Sequence, residues 1–97
     1  GEETQQFWQD RKGASINAIR TSTLISQADI VVVRFGAKFK QWNAAFDAGY
    51  AAAMNKSLII LHEEEHNHAL KEVDAAANAT ARTPEQIVDI LAYVINN

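Results

Sequence analysis

The sequence predicts an α/β domain in which a parallel sheet of few strands is flanked by helices. Two runs of apolar, largely branched residues, DIVVVRF (29–35) and SLIILH (57–62), have the composition of strands buried on both faces. An alanine-rich segment between them predicts a helix from about Asn43 to Met54. A strand, a helix and a second strand in succession are typical of a parallel β-α-β unit.

The segment before the first strand predicts a polar stretch and then a helix. Residues 1–13 are polar apart from two aromatic residues, and Gly13 predicts a break in the chain. Ser15 suits the N-cap position, because its hydroxyl can accept hydrogen bonds from the free N–H groups of a first helical turn. We therefore expect a helix over 15–27.

The residues after the second strand predict two further short elements. HEEEHNH (62–68) has the composition of a solvated loop. HALKEVDAAAN (68–78) predicts a short helix, and ATAR (79–82) predicts a third short strand.

A final helix is predicted by its own start signals. Thr83 suits the N-cap, Pro84 the first helical position, and Gln86 completes a Thr-x-x-Gln capping box. One face of this helix, over 84–96, is expected to be apolar and to pack on the sheet. That face consists of Ile87, Ile90, Leu91 and Val94.

Composition predicts one soluble globular domain, residues 1–97, of which 47% are hydrophobic and 22% charged. Nine basic and twelve acidic residues give a net charge of −3, which argues against a nucleic-acid polymer as partner. The chain has no cysteine, so thiolate chemistry and disulfides are excluded. The longest apolar runs are too short to span a bilayer, and the polar start has no signal-peptide pattern. We expect a cytoplasmic protein that does not bind membranes.

A resemblance to a known family rests on the stretch ADIVVVRFG…KQWNAAFDAGYAAAMNKSLIIL, within 28–61. It resembles the second half of the nucleoside 2-deoxyribosyltransferase-like fold, where a buried strand, a loop, a helix reading Phe/Met-Glu-x-Gly-Tyr-Ala and another buried strand follow each other. It is most similar to the YtoQ-like branch, which shares the Lys-Gln-Trp-Asn…Asp…Tyr-Ala pattern. The resemblance implies a flavodoxin-like half-domain that lacks the family's first β-α-β portion.

The resemblance also implies a catalytic role for Asp47. In the transferases, the carboxylate at this position is the nucleophile that attacks the anomeric carbon of the sugar. The second acid of the family, six residues upstream, falls on Gln41, which cannot titrate. A second interpretation stays open, since an acid near the start of a helix interacts favourably with the helix dipole by about 0.3–1 kcal/mol.

The loop RFGAKFKQW (34–42) predicts a ligand site, because open α/β sheets bind ligands where a strand ends and a helix begins. Its glycine allows close backbone approach, its basic residues attract anions, and its aromatic rings can stack on a base. A phosphate or nucleotide fits these features, although a solvated loop with packed rings is the structural alternative. The predicted ligand-binding residues are Gly36, Phe39, Gln41, Trp42, Asn43 and Tyr50.

Two neighbouring helix residues admit structural interpretations. Gly49 costs about 1 kcal/mol relative to alanine within a helix, which predicts that another backbone approaches closely there. Tyr50 can orient a ligand, or it can be a buried tyrosine whose hydroxyl lies at the rim of the core.

The histidines of the polar loop, His62, His66 and His68, do not have the spacing of a known metal site. We expect a solvated loop and no specific metal ion there, and we predict no cofactor.

Two functional hypotheses follow. The first is a nucleoside- or nucleotide-binding protein with weak N-glycosidase or deoxyribosyltransferase activity, supported by the AAFDAGYAAA helix and the basic loop. The second is a non-catalytic module that associates with itself, supported by Gln41 and the short chain.

The first strand also predicts a homodimer. Strand 29–35 is apolar on both faces, which the helices 15–27, 43–54 and 84–96 are expected to cover. In the family its far edge pairs with a strand that is absent here, and IVVV contains no proline or lysine to discourage association. We expect a two-fold dimer through this edge.

Overall fold

A computed structural model describes residues 2–36 and 42–96. In this part of the chain three parallel strands form one sheet in the order β1–β2–β3. The strands are β1 (Ile30–Arg34), β2 (Ser57–Leu61) and β3 (Ala79–Ala81). The helices are α1 (Glu2–Gln27), α2 (Trp42–Ala53), α3 (Lys71–Ala76) and α4 (Pro84–Ile95), with a 3₁₀ turn at Glu64–His66. The predicted class, a parallel sheet of few strands flanked by helices, is confirmed.

Strand β2 lies in the centre of the sheet and is buried on both faces. Leu58 and Ile60 are fully buried on one face, and Ile59 and Leu61 are buried on the other. This explains why its sequence is apolar at successive positions, since a central parallel strand presents both alternating rows of side chains to packed layers.

The two faces of the sheet are covered by different helices. The first layer is a cluster to which α1, α2, β1 and β2 all contribute, and the second joins β2 and β3 to α4. Buried members of the first layer are Ile25, Val33, Phe35, Ala48, Ala51, Leu58 and Ile60. Those of the second are Ile59, Leu61, Ala81 and Ile87.

Strand β1 is only partly covered. It pairs with β2 alone within the described residues, so its other edge has no strand partner there. The prediction that helices cover both of its faces is wrong for one face, on which Val32 is 41% exposed. The reason is that α4 packs mainly over β2 and β3, and the second layer meets β1 at Ile30 but leaves Val32 exposed.

Helix α1 is longer than the sequence predicted. The break at Gly13 and the N-cap at Ser15 are both wrong, because one helix runs without interruption from Glu2 to Gln27. A single glycine costs a helix only about 1 kcal/mol, and a long helix tolerates that cost when no proline accompanies it. Residues 2–13 of the predicted polar segment are therefore the first half of a helix.

Helix α4 begins as predicted. The Thr83 hydroxyl accepts a hydrogen bond from the Gln86 N–H at 3.3 Å, and Pro84 occupies the first turn. The Gln86 side chain accepts from the Arg82 N–H at 2.6 Å, one residue earlier than in the usual capping box. Of the predicted apolar face, Ile87 is buried, Ile90 and Leu91 pack against the second layer, and Val94 is 51% exposed, so the prediction is wrong for Val94.

Among the helices of the described residues, none combines the length and the apolar composition needed to cross a membrane.

Candidate functional site

A cleft between α1 and α2 contains Asp47, and we name it the Asp47 cleft. Asn43, Asp47 and Tyr50 are spaced by four and three residues, which places them on one side of α2. That side faces α1, and the cleft has a volume of about 260 Å³. Its lining consists of Ala14, Asn17, Ala18, Thr21, Ser22, Ile25, Asn43, Phe46, Asp47 and Tyr50.

The Asp47 carboxylate is half-buried and has no hydrogen bond or ion pair to any residue in 2–36 or 42–96. Burial raises the pKa of Asp47 above its ordinary value of 3.8, because loss of water destabilises the charged form. A carboxylate that is partly stripped of water and lacks a donor is more basic and more nucleophilic than a solvated one.

The position of Asp47 within α2 weighs against a purely structural role. The helix begins at Trp42 and has no acidic residue in its first turn. Asp47 lies in the second turn, where the interaction with the helix dipole has fallen off. The dipole interpretation therefore does not account for this acid.

A second cleft, the β1-edge cleft, follows the edge of β1 that has no strand partner among the described residues, and it also includes Asp47. It has a volume of about 410 Å³. Its lining consists of Thr21, Leu24, Ile25, Val31, Val32, Val33, Arg34, Asn43, Ala44 and Asp47. Asp47 and Asn43 thus belong to both clefts, and Arg34 is the basic residue of the second.

The predicted ligand-binding residues are not all brought together. Asn43 and Tyr50 lie with Asp47, whereas Gly36 lines a separate cleft at the carboxyl ends of the strands. Trp42 is 75% exposed at the start of α2 and lines none of the clefts described here. Phe39 and Gln41 lie outside the described residues.

Tyr50 and Gly49 lie on different sides of α2. Tyr50 is half-buried in the Asp47 cleft and also packs against the first core layer, so both interpretations of this tyrosine persist. Gly49 is exposed on the side facing α3, and a Cβ atom built there would meet no described atom within 4 Å. The predicted close approach of another backbone to Gly49 is therefore wrong.

His62 corrects the expectation of a solvated histidine loop. Its side chain is buried, with a relative exposure of 1% for the residue. Nε2 lies 2.8 and 2.9 Å from the two carboxylate oxygens of Asp74, and Nδ1 lies 2.7 Å from the Glu63 carbonyl oxygen. Both ring nitrogens are engaged, so His62 joins the end of β2 to α3 and is not available as a base or a ligand.

The sequence offered one signal for this pair. Asp74 follows His62 by twelve residues on a short helix that the chain folds back against the sheet. An acid on the helix after a strand is a candidate partner for a histidine at the strand's end, but the 3₁₀ turn that brings them together has no clear pattern in the sequence.

The other two histidines are separate from this pair. His66 is half-buried, with Nε2 3.8 Å from a Glu65 oxygen, and His68 is exposed. Within 2–36 and 42–96, no three side chains of histidine, aspartate or glutamate come together as a group that could hold a metal ion.

Comparison with known proteins identifies the family. The family model described as nucleoside 2-deoxyribosyltransferase YtoQ matches residues 1–95. The chain belongs to this YtoQ family. It is also 46% identical over 85 residues to "Uncharacterized protein YtoQ" of Bacillus subtilis (strain 168), in an alignment that covers 88% of the chain and 57% of that protein. The chain thus spans little more than half the length of that relative, and the predicted resemblance is confirmed.

Proposed function

We propose that the protein binds a nucleoside or nucleotide with its sugar beside Asp47, and that it cleaves the N-glycosidic bond slowly. The observation that carries this proposal is the half-buried Asp47 carboxylate, which has no partner among the described residues and lies in a cleft of about 260 Å³. The description of the YtoQ family as nucleoside 2-deoxyribosyltransferases supports the choice of substrate class.

The chemistry proposed for Asp47 is nucleophilic substitution at the anomeric carbon. An Asp47 oxygen attacks C1′ and forms a glycosyl ester, while the C1′–N bond breaks and its electron pair leaves with the base, which takes a proton from solvent. Water then attacks C1′ of the ester, which frees the sugar, restores the carboxylate and releases one proton. A second base in place of water would give transfer.

The residue at the family's second acidic position predicts which substrates react. Gln41 occupies the family's second acidic position and cannot protonate the leaving base. General acid catalysis contributes about 10²–10⁴-fold to such reactions, so its loss makes natural nucleosides slow substrates. A deoxyriboside whose leaving group is a stable anion, such as a nitrophenolate, needs no proton and is expected to react faster.

The test compares Asp47→Asn with Asp89→Asn, a matched change at an exposed position of α4. Release of nitrophenolate or base should be lost in Asp47→Asn and retained in Asp89→Asn, while both variants keep the wild-type thermal midpoint. Mass spectrometry of quenched wild-type protein should show the sugar on the peptide that contains Asp47. Equal turnover by wild type and Asp47→Asn would contradict the catalytic role.

Binding is tested separately by NMR. Millimolar deoxynucleosides should shift the backbone signals of Asn43, Asp47 and Tyr50 together with those of Thr21 and Ile25 on the facing helix. Shifts confined to the histidine loop, or no shifts at all, would remove the nucleoside proposal.

The open edge of β1 favours a second function, association with another copy of the chain. We propose that two β1 edges pair about a two-fold axis, which would satisfy the backbone groups left unpaired in the described residues and cover Val32. The β1-edge cleft includes Asp47, so such a partner would form one wall of the substrate site.

Sedimentation equilibrium at micromolar concentration tests this association against the chain mass of 10.7 kDa. Wild type should sediment at twice that mass, and Val32→Lys should shift it towards monomer because a lysine on an edge strand opposes pairing. Val88→Lys, at a more exposed apolar position of α4, is the matched control and should remain dimeric. A folded wild-type monomer would contradict the proposal.

A further inference from the structure

A third cleft lies where the three strands end, and we name it the carboxyl-edge cleft. It has a volume of about 250 Å³. The segments that line it follow β1, β2 and β3 in turn: 34–36, 61–63 and 82–85. Parallel α/β sheets bind ligands at this edge, because the loops that leave the strands converge there.

Two arginines flank this cleft from the outer strands. Arg34 lies in register with Leu61, and Leu61 lies in register with Ala81, which Arg82 follows. Two strand spacings, roughly 10 Å between Cα atoms, separate Arg34 from Ala81. Arg34 and Arg82 both line the cleft. Neither guanidinium forms an ion pair within the described residues.

The cleft also contains two acidic residues, but neither of them pairs with these arginines. Glu63 and Glu85 are exposed members of its lining, and neither lies within ion-pair distance of Arg34 or Arg82. The start of α4 adds little of its own, because the Gln86 N–H already donates to the Thr83 hydroxyl, the Ile87 N–H donates to the Thr83 carbonyl oxygen, and Pro84 has no N–H. Any attraction for an anion at this edge therefore comes from the arginines.

We propose that the carboxyl-edge cleft binds the phosphate group of a phosphorylated sugar. The guanidinium groups of Arg34 and Arg82 donate to the phosphate oxygens, for which their planar geometry is suited. Glu63 and Glu85 accept hydrogen bonds from sugar hydroxyls, which donate to carboxylates. Arg34 also lines the β1-edge cleft that contains Asp47, so the two clefts share this arginine.

This inference extends the proposed function, since it favours a nucleoside 5′-phosphate over a nucleoside, but phosphate binding itself does not depend on Asp47. The first experiment is a titration with inorganic phosphate at constant ionic strength, followed by the amide signals of Arg34, Gly36, Arg82 and Glu85. Arg82→Gln and, separately, Arg34→Gln should weaken binding about tenfold, the loss expected for one charge-assisted hydrogen-bonding group.

Arg20→Gln provides the matched control, because Arg20 is exposed on α1 and lines none of these clefts. It should leave phosphate affinity unchanged, whereas Glu85→Gln should increase it by removing a like charge. Equal weakening by Arg20→Gln and Arg82→Gln would mean a general charge effect and would overturn the site. Absence of phosphate shifts in the wild-type protein would overturn it as well.

A second comparison separates this inference from the proposed function. Inorganic phosphate, a deoxynucleoside and its 5′-monophosphate are titrated in parallel. If phosphate binds at the carboxyl-edge cleft and the nucleoside does not shift Asp47, the anion site is supported and the nucleoside proposal fails. If the nucleoside shifts Asp47 and the added phosphate neither tightens binding nor shifts Arg82, the nucleoside proposal is supported and the anion site is wrong.

Discussion

Two aspartates on neighbouring helices illustrate the difference between a structural and a candidate functional carboxylate. The two carboxylate oxygens of Asp74 on α3 lie 2.8 and 2.9 Å from Nε2 of the buried His62 ring. The other ring nitrogen lies within hydrogen-bond distance of the Glu63 carbonyl oxygen. Asp47 on α2 is half-buried too, but it faces two clefts and no described residue donates a hydrogen bond to it.

The comparison shows that burial alone does not distinguish the two roles. A desolvated carboxylate destabilises a fold unless a partner compensates it. Asp74 has such a partner in His62, and this pair connects the end of β2 to α3. The cost at Asp47 is not compensated within the described residues, as its raised pKa indicates. An uncompensated carboxylate beside a cleft is where a ligand can supply the missing interaction.

The largest loss of stability is expected from removing Asp74, the aspartate that has a partner. Asp74→Ala would leave the fully buried His62 ring without its carboxylate, and breaking a buried pair in this way costs about 3 kcal/mol. Chemical denaturation followed by circular dichroism measures the change in the free energy of unfolding.

Glu72→Ala, an exposed change on the same short helix, is the control for Asp74→Ala and should cost less than about 1 kcal/mol. Asp74→Asn keeps an oxygen that can accept a hydrogen bond from His62 Nε2, so its cost in unfolding free energy should lie between those of Asp74→Ala and Glu72→Ala. If Asp74→Ala costs no more than Glu72→Ala, the pair does not stabilise the fold, and the contrast between the two aspartates is lost.

The fold was largely predictable because its signals are local. The continuous apolar run of β2 requires burial on both faces, and the Thr83, Pro84 and Gln86 signals define the start of α4 without reference to the rest of the chain. The resemblance then selected Asp47 from among the acids. Its place in a cleft is consistent with that selection.

The parts that were not predictable depend on contacts between distant segments. His62 is buried because Asp74 meets it across the 3₁₀ turn, and its local sequence resembles a solvated loop. The wall of the Asp47 cleft comes from α1, whose continuity across Gly13 was missed because a lone glycine signals a break only statistically. The short reach of α4, which leaves Val32 exposed, is a matter of packing geometry.

A smaller effect, of opposite sign, is expected at Gly49. This residue lies on α2 only two positions after Asp47 but on the side that faces α3, and a Cβ atom there meets nothing described within 4 Å. Gly49→Ala should therefore stabilise the protein by up to about 1 kcal/mol, because alanine loses less backbone entropy in a helix. Thermal and denaturant unfolding measure this gain.

The activity of Gly49→Ala sharpens the comparison further. Because α2 keeps Asp47 in place, turnover and nucleoside shifts should equal those of wild type. A destabilised Gly49→Ala would mean that a close neighbour does occupy this side of the helix and that the sequence-based expectation was correct after all.

The smallest effect on stability is expected from Asp47→Asn. The direction in which this stability difference changes with pH tests whether the Asp47 carboxylate lacks a favourable partner. Burial raises the folded-state pKa of Asp47 above 3.8, so the folded protein binds this proton more tightly than the unfolded chain does. Its contribution to stability is complete below 3.8 and is lost as pH rises through the folded-state pKa. Asparagine does not titrate, so the variant should gain stability relative to wild type across that window and differ by less than about 0.5 kcal/mol at neutral pH.

Unfolding free energies measured from acidic to neutral pH, with Asp89→Asn as the exposed control, give the difference directly. A variant that loses stability relative to wild type as pH rises would show that Asp47 is held by a favourable partner, and the two aspartates would then share one structural role.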